Sequence, residues 1–223
     1  SDHGSERKGS LIKTRGTEIP CLIRWPKVIK PGSVSYGLLQ NTDFVPTWFE
    51  LAGAKIPEEY RIDGKSLVPM FKDPSVSVRE FIYAEQGATR AIKTEAFEYI
   101  SIRYTDEQIA MAQSKRSDRT YKTLLGLSGG ISRARYFHPG IFSADQLYDL
   151  SKDPHSQKNL ANDPSYARQL KKMKNMLTKT VKNLGSRPYG DFVQGEGTSD
   201  AVASQKVLDK LSDYHAKENK KNK

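Results

Sequence analysis

Arg90-Ala91-Ile92-Lys93-Thr94-Glu95-Ala96-Phe97-Glu98-Tyr99-Ile100-Ser101-Ile102-Arg103-Tyr104 carries a period of two through its second half. Glu98, Ile100, Ile102 and Tyr104 fall on one side, and Phe97, Tyr99, Ser101 and Arg103 on the other. This alternation predicts a strand over 97–104, with Arg90–Thr94 as its hairpin partner across Glu95-Ala96. Upstream, Phe81–Glu85 reads as another strand. Downstream, Gln146–Leu150 reads as a further short strand, closed by the Ser151-Lys152-Asp153-Pro154 turn. A small sheet of this kind needs a cover, and Ser165–Leu184 supplies one. Asp163 caps it, Pro164 opens it and Gly185 follows it. Tyr166, Leu170, Met173, Leu177, Val181 and Leu184 form one apolar stripe at helical spacing, and lysines fill much of the rest.

The first eighty residues have a different texture. Ile19-Pro20-Cys21-Leu22-Ile23-Arg24-Trp25, ended by Pro26, reads as a buried strand. Lys30-Pro31-Gly32-Ser33 is a turn by composition. Asp43 is the expected cap of a helix running through Ala52, with Pro46 in its first turn and Gly53 just past its end. Residues 54–79 read as a long surface loop. Between the hairpin and the last strand, residues 105–145 are irregular, with helical stretches expected at Glu107–Ala112 and Tyr121–Leu127 and a break at Gly129-Gly130. The expected organisation is therefore 1–80 as part of an α/β domain, 81–185 as an antiparallel subdomain with its packing helix, and 186–223 as a basic tail with a weak helix at Val202–Tyr214.

The chain has 223 residues, 36 Lys and Arg against 26 Asp and Glu, and a formal net charge of +10. The excess is local. Residues 161–223 carry 13 basic and 7 acidic groups, whereas 1–80 carry 12 and 10. This distribution weighs against a general nucleic-acid binder. The lone cysteine, Cys21, excludes a disulfide scaffold, a CxxC redox pair and a multi-cysteine zinc site. No run of about 18 apolar residues is present, so no transmembrane helix is expected. Ser1-Asp2-His3-Gly4 reads as the exit from a strand into a polar loop, which leads us to expect a longer protein upstream.

That loop holds the most chemically suggestive residues. Asp2 and His3 place a carboxylate beside an imidazole, and both can reach one divalent metal. Lys8 follows within reach and suits an anionic substrate. The same residues also make an ordinary turn followed by an exposed lysine.

The surrounding words shift the balance between these readings. Ser1-Asp2-His3-Gly4, Gly16-Thr17-Glu18-Ile19-Pro20-Cys21-Leu22-Ile23-Arg24-Trp25-Pro26 and Ile29-Lys30-Pro31-Gly32 appear in that order. Asp43-Phe44-Val45-Pro46-Thr47, Glu50-Leu51-Ala52-Gly53 and Asp63-Gly64-Lys65-Ser66-Leu67 follow. Arg90–Thr94, Glu98-Tyr99-Ile100, Gln146–Leu150, Asp153-Pro154 and Asn159-Leu160-Ala161 complete the series. The whole resembles the C-terminal portion of a type I, formylglycine-dependent sulfatase of the alkaline-phosphatase-like superfamily, over residues 1–184.

The resemblance implies an α/β fold, the end of an alkaline-phosphatase-like sandwich followed by a small antiparallel sheet with a packing helix. It implies sulfuric ester hydrolysis, with Asp2 and His3 as metal ligands and Lys8, or Lys13 in its place, on the sulfate. Calcium is the family's usual metal; imidazole would also suit manganese or zinc. The formylglycine arises from a C/S-x-P-x-R motif that this chain lacks. Cys21-Leu22-Ile23-Arg24-Trp25 fails at two positions, and Ser186-Arg187-Pro188-Tyr189-Gly190 has Gly where Arg is required. The nucleophile is therefore expected in an N-terminal part. The implied substrate is a sulfated small molecule or polysaccharide, and the implied location is periplasmic or extracellular; oligomeric state stays open. Two readings compete: a phosphodiesterase or phosphonate hydrolase of the same superfamily, and a non-catalytic module that binds polyanions through helix 165–184 and the tail. Within 105–145, Arg116, Arg119, Arg133 and Arg135 suit sulfate or carboxylate, and His138 is either a loop residue or a sugar contact. His155 reads as exposed.

Overall fold

The computed structural model describes residues 17–86, 88–113, 139–184 and 201–221. They divide into two compact units: Cys21–Ile82, and the residues from Tyr83 onward together with those up to Pro20.

In the first unit a 3-10 turn at Asn41–Asp43 leads into α1 (Phe44–Leu51). The helix stops as its sequence predicts. The Ala52 N–H reaches the Trp48 carbonyl at 2.9 Å, and Gly53 adopts a φ of 63° in the left-handed region open to glycine. Asp43 differs from expectation: its side chain makes no capping bond to α1. It turns away from α1 instead, accepting the Gln40 N–H at 2.7 Å and the Lys65 N–H at 2.8 Å, and it pairs with Arg79. The long loop expected over 54–79 is interrupted by α2 (Val68–Lys72), a single turn started by Pro69 that buries Val68 and Met70.

The expected strand at Ile19–Trp25 does not form. The segment has no regular structure, and Leu22 is 97% exposed. A strand is held by ladder bonds to a neighbour, and none of the described strands pairs with this one. Its apolar character alone cannot satisfy its backbone.

The second unit is built on a four-stranded sheet in the order β1-β2-β3-β4: Ile82–Gln86, Thr89–Lys93, Phe97–Ile102 and Asp145–Asp149. The hairpin read from the sequence is present. Ala91 faces Ile100 and Ile92 faces Tyr99 across the antiparallel β2–β3 ladder. β4 runs antiparallel to β3, with Leu147 opposite Tyr99 and Gln146 opposite Ile100. Directly paired residues share a face. Ile92, Tyr99 and Leu147 therefore line one face, and Ala91, Ile100 and Gln146 the other, all six buried.

Helix α3 (Asp106–Gln113) follows β3, and after β4 the chain enters α4 (Ala167–Leu184) through a 3-10 turn at Pro164–Tyr166. The Asp163 carboxylate accepts the Ser165 N–H at 2.9 Å, so the predicted cap is in place. α4 lies along β2 and β3 and buries Met173 and Leu177 completely. Residues 201–221 form a last helix, α5, longer than the weak helix expected in a tail. Its Val207, Leu208 and Leu211 pack with Ile102, Tyr104 and Ala144 in one buried cluster. Two of its polar residues finish the sheet's backbone accounting: Ser204 Oγ accepts the Tyr104 N–H at 3.1 Å, and Gln205 Oε1 accepts the Ala144 N–H at 2.8 Å.

Candidate functional site

Asp2, His3, Lys8 and Lys13 lie outside the described residues, as do Arg116, Arg119, Arg133, Arg135, His138 and the Ser186–Gly190 stretch. Among the described residues, no group of three or more His, Cys, Asp or Glu side chains is placed to hold a metal ion. Cys21 is exposed, and so is His155 as predicted. Several described carboxylates, among them Asp43, Glu98 and Asp145, are held by partners within the fold.

Asp43 is fully buried, and Arg79 is 9% exposed at its side chain. Arg79 Nε donates to Asp43 Oδ2 at 3.2 Å, its Nη2 pairs with Oδ1, and its Nη1 donates to Gln40 Oε1 at 3.0 Å. Thr47 Oγ1 donates back to the Asp43 carbonyl at 2.5 Å and accepts the Leu67 N–H at 2.9 Å. The Asp43–Thr47 and Asp63–Leu67 words thus bond to each other. Gly64 sits so close to Thr42 that a Cβ would collide with its carbonyl. Asp43, Thr47 and Gly64 thus have scaffold roles in these words.

In the second unit Asp145 gathers three donors. Tyr99 Oη and Arg103 Nη2 each reach Oδ1 at 2.6 Å, and Lys174 Nζ from α4 reaches Oδ2 at 2.6 Å. Arg103 Nη1 also donates to the Ala144 carbonyl at 2.7 Å. Burial opposes the charge on Asp145, but Arg103 and the three donated bonds outweigh it and hold the carboxyl below the usual carboxylate range. The Tyr99 phenol is pushed up, by burial first and then by the Asp145 charge. Glu98, fully buried, accepts the Ser156 hydroxyl at 2.7 Å, and Ser156 takes a left-handed φ of 52° to deliver it. Glu18 pairs with Lys93 at the end of β2, a tie within this unit.

The resolved pKa displacements all run away from neutrality. Asp73, Asp145, Asp149 and Asp163 are lowered, whereas Tyr99, Tyr104, Tyr148 and Lys152 are raised. None of these groups is poised to exchange a proton near pH 7. Sequence reading missed Arg79, Arg103, Lys174 and Ser156. The first three sit 36, 42 and 29 positions from their carboxylates, and no local pattern marks such pairs.

The family model of the C-terminal region of N-sulphoglucosamine sulphohydrolase matches residues 7–116. An ulvan-active sulfatase of Formosa agariphila is 34% identical over 201 residues, which is 86% of this chain and 37% of that protein. The N-acetylglucosamine-6-O-sulfatase of Bacteroides thetaiotaomicron is 27% identical over 164 residues, 74% of this chain and 25% of its own length. A solved protein in complex with its substrate D-glucosamine-2-N,6-O-disulfate superposes with a TM-score of 0.51 at 22% identity, covering 76% of this chain and 29% of that one. The fold is that of the alkaline-phosphatase-like superfamily. Within it, the chain belongs to the sulfatases, and it corresponds to their C-terminal portion. It spans a quarter to two fifths of the length of these relatives.

Proposed function

We propose that the protein carrying this chain is a sulfuric ester hydrolase that removes sulfate from a sulfated carbohydrate. The observation that carries the reading is the 34% identity to an ulvan-active sulfatase across 86% of the chain. Asp2 and His3 would hold a divalent cation. The cation expected there is calcium, with manganese or zinc as the alternatives an imidazole ligand would also suit. Lys8, or Lys13 in its place, would neutralise the sulfuryl oxygens as charge builds on them. The bound cation would polarise the same oxygens, and the formylglycine expected in the part of the relatives not spanned here would supply the nucleophile. Residues 1–80 would complete the catalytic α/β domain, and 81–185 would form the subdomain beside it. Residues 105–145 would help choose the sugar through their arginines. A periplasmic or extracellular location accords with a polymeric substrate; among the described residues no helix is long and apolar enough to cross a membrane.

The test combines metal content and turnover in the whole enzyme. Asp2→Ala and His3→Ala should each lower bound metal by elemental analysis and abolish hydrolysis of 4-nitrophenyl sulfate. Full metal occupancy in either variant would remove that ligand from the assignment. Faster turnover of a phosphate diester than of the sulfate would move the enzyme to another branch of the superfamily. Between Lys8→Ala and Lys13→Ala, the larger loss of kcat/KM identifies the sulfate contact.

A further inference from the structure

Helix α4 carries Arg168, Lys171, Lys172, Lys174, Lys179 and Lys182 and no acidic residue. Lys174 is set apart, since it reaches inward to Asp145. The other five are exposed. At 3.6 residues per turn they fall within an arc of about 100°, opposite the buried Met173 and Leu177, along about 21 Å of helix. Arg168, Lys171, Lys172 and Lys179 make no ion pair with any described residue.

The arrangement is unfavourable for the helix by itself. Arg168 repels Lys171 and Lys172 at spacings of three and four, and Lys179 repels Lys182. Arg168 also sits in the first turn, at the positive end of the helix dipole. A bound polyanion relieves both repulsions. A lone sulfate cannot, because the charges are spread along several turns.

We propose that the outer strip of α4 is a docking surface for a linear sulfated polysaccharide. This rests on the sulfatase reading for the identity of the polyanion. Four of the five cations are lysines, point charges suited to sulfate oxygens without the planar fork that arginine offers. The strip offers no aromatic platform on which nucleic-acid bases could stack. Nor has it an apolar face to enter a bilayer, since Met173 and Leu177 are already packed inward.

The experiment measures binding of the whole enzyme to dextran sulfate at about 50 and about 200 mM salt. With a slope of about 0.7 per charge, five cations predict about a hundredfold loss of affinity over that range, and two predict about sevenfold. K171Q/K172Q/K179Q should show the shallow dependence and weaker binding at low salt. Its melting temperature should not fall, because Gln and Lys have similar helix propensities and the substitutions relieve like-charge repulsion. K30Q/K55Q/K72Q, which removes the same charge from exposed positions in the other unit, should bind like the parent. Equal binding by parent and strip variant, or an equal loss in the control, overturns the proposal. So does duplex DNA or a phosphatidylserine vesicle binding the parent as tightly as dextran sulfate. Hydrolysis of 4-nitrophenyl sulfate is followed in parallel. Strip-independent binding with turnover intact sinks this inference alone. Strip-dependent binding without turnover of any sulfate ester sinks the sulfatase reading alone.

Discussion

Asp43 brings a carboxylate into a place where it has no water, and its surroundings meet that demand with Arg79 and two backbone N–H groups. Removing one member of such a pair leaves the other buried without a counter-charge. Asp43→Asn or Arg79→Ala should each cost about 3–5 kcal/mol in urea unfolding. A double variant that replaces both should recover part of that loss. Gly64→Ala should cost about 1–3 kcal/mol, because the added methyl has to displace backbone and not a flexible side chain. Asp145 sets a pH dependence. Its carboxyl is lowered in the folded chain from an ordinary value of 3.8, so the folded state favours the ionised form. That stabilisation is complete above the unfolded value and is lost as pH falls through the folded one. Asp145→Asn should therefore flatten the acid limb of a stability profile while leaving its slope above about pH 5 unchanged.

Helices and strands differ in how much of them could be read in advance. β2 and β3 were legible because alternation over Phe97–Tyr104 names both faces, and the register bears this out. α4 was legible because cap, proline and stripe agree. Ile19–Trp25 was misread, because apolar composition specifies burial only where a neighbouring strand exists to pair with it. α5 was underestimated, because its apolar residues are sparse and its partners, Ile102, Tyr104 and Ala144, are far away in sequence. Its importance can be measured. Leu208→Ala should destabilise the sheet unit by about 2–5 kcal/mol, as truncation of a fully buried leucine does. Ser204→Ala should cost about 1–3 kcal/mol by leaving the Tyr104 N–H without an acceptor. Thermal unfolding followed by near-ultraviolet dichroism reads both.

At the scale of the molecule, the chain spans 37% of the ulvan-active relative, and the proposed reaction needs a nucleophile that its sequence does not carry in a C/S-x-P-x-R motif. The 223-residue chain purified alone should leave 4-nitrophenyl sulfate intact; metal-dependent hydrolysis by it would show that the nucleophile has been misplaced. Leu22 at 97%, Tyr36 at 87% and Trp48 at 62% exposure put large apolar groups on the surface of one unit. Large apolar groups left in water bind hydrophobic dyes, so the isolated chain should enhance anilinonaphthalene sulfonate fluorescence. Trp48→Ser should reduce that signal.

What could be determined from sequence alone was local or motif-based: the hairpin, the capped helix, the turn at Gly53, and the ordered series of short words that identifies a sulfatase. Each depends on neighbours along the chain or on residue identity, so a linear reading reaches them. Only the tertiary structure showed that Asp43 is held by Arg79 and not spent on a helix cap, that Asp145 gathers Tyr99, Arg103 and Lys174, and that residues 201–221 close the core. The physical reason is common to all three. A buried charge or an unpaired backbone group must find a partner in space, and the partners here lie tens of residues away, at positions that no periodicity announces.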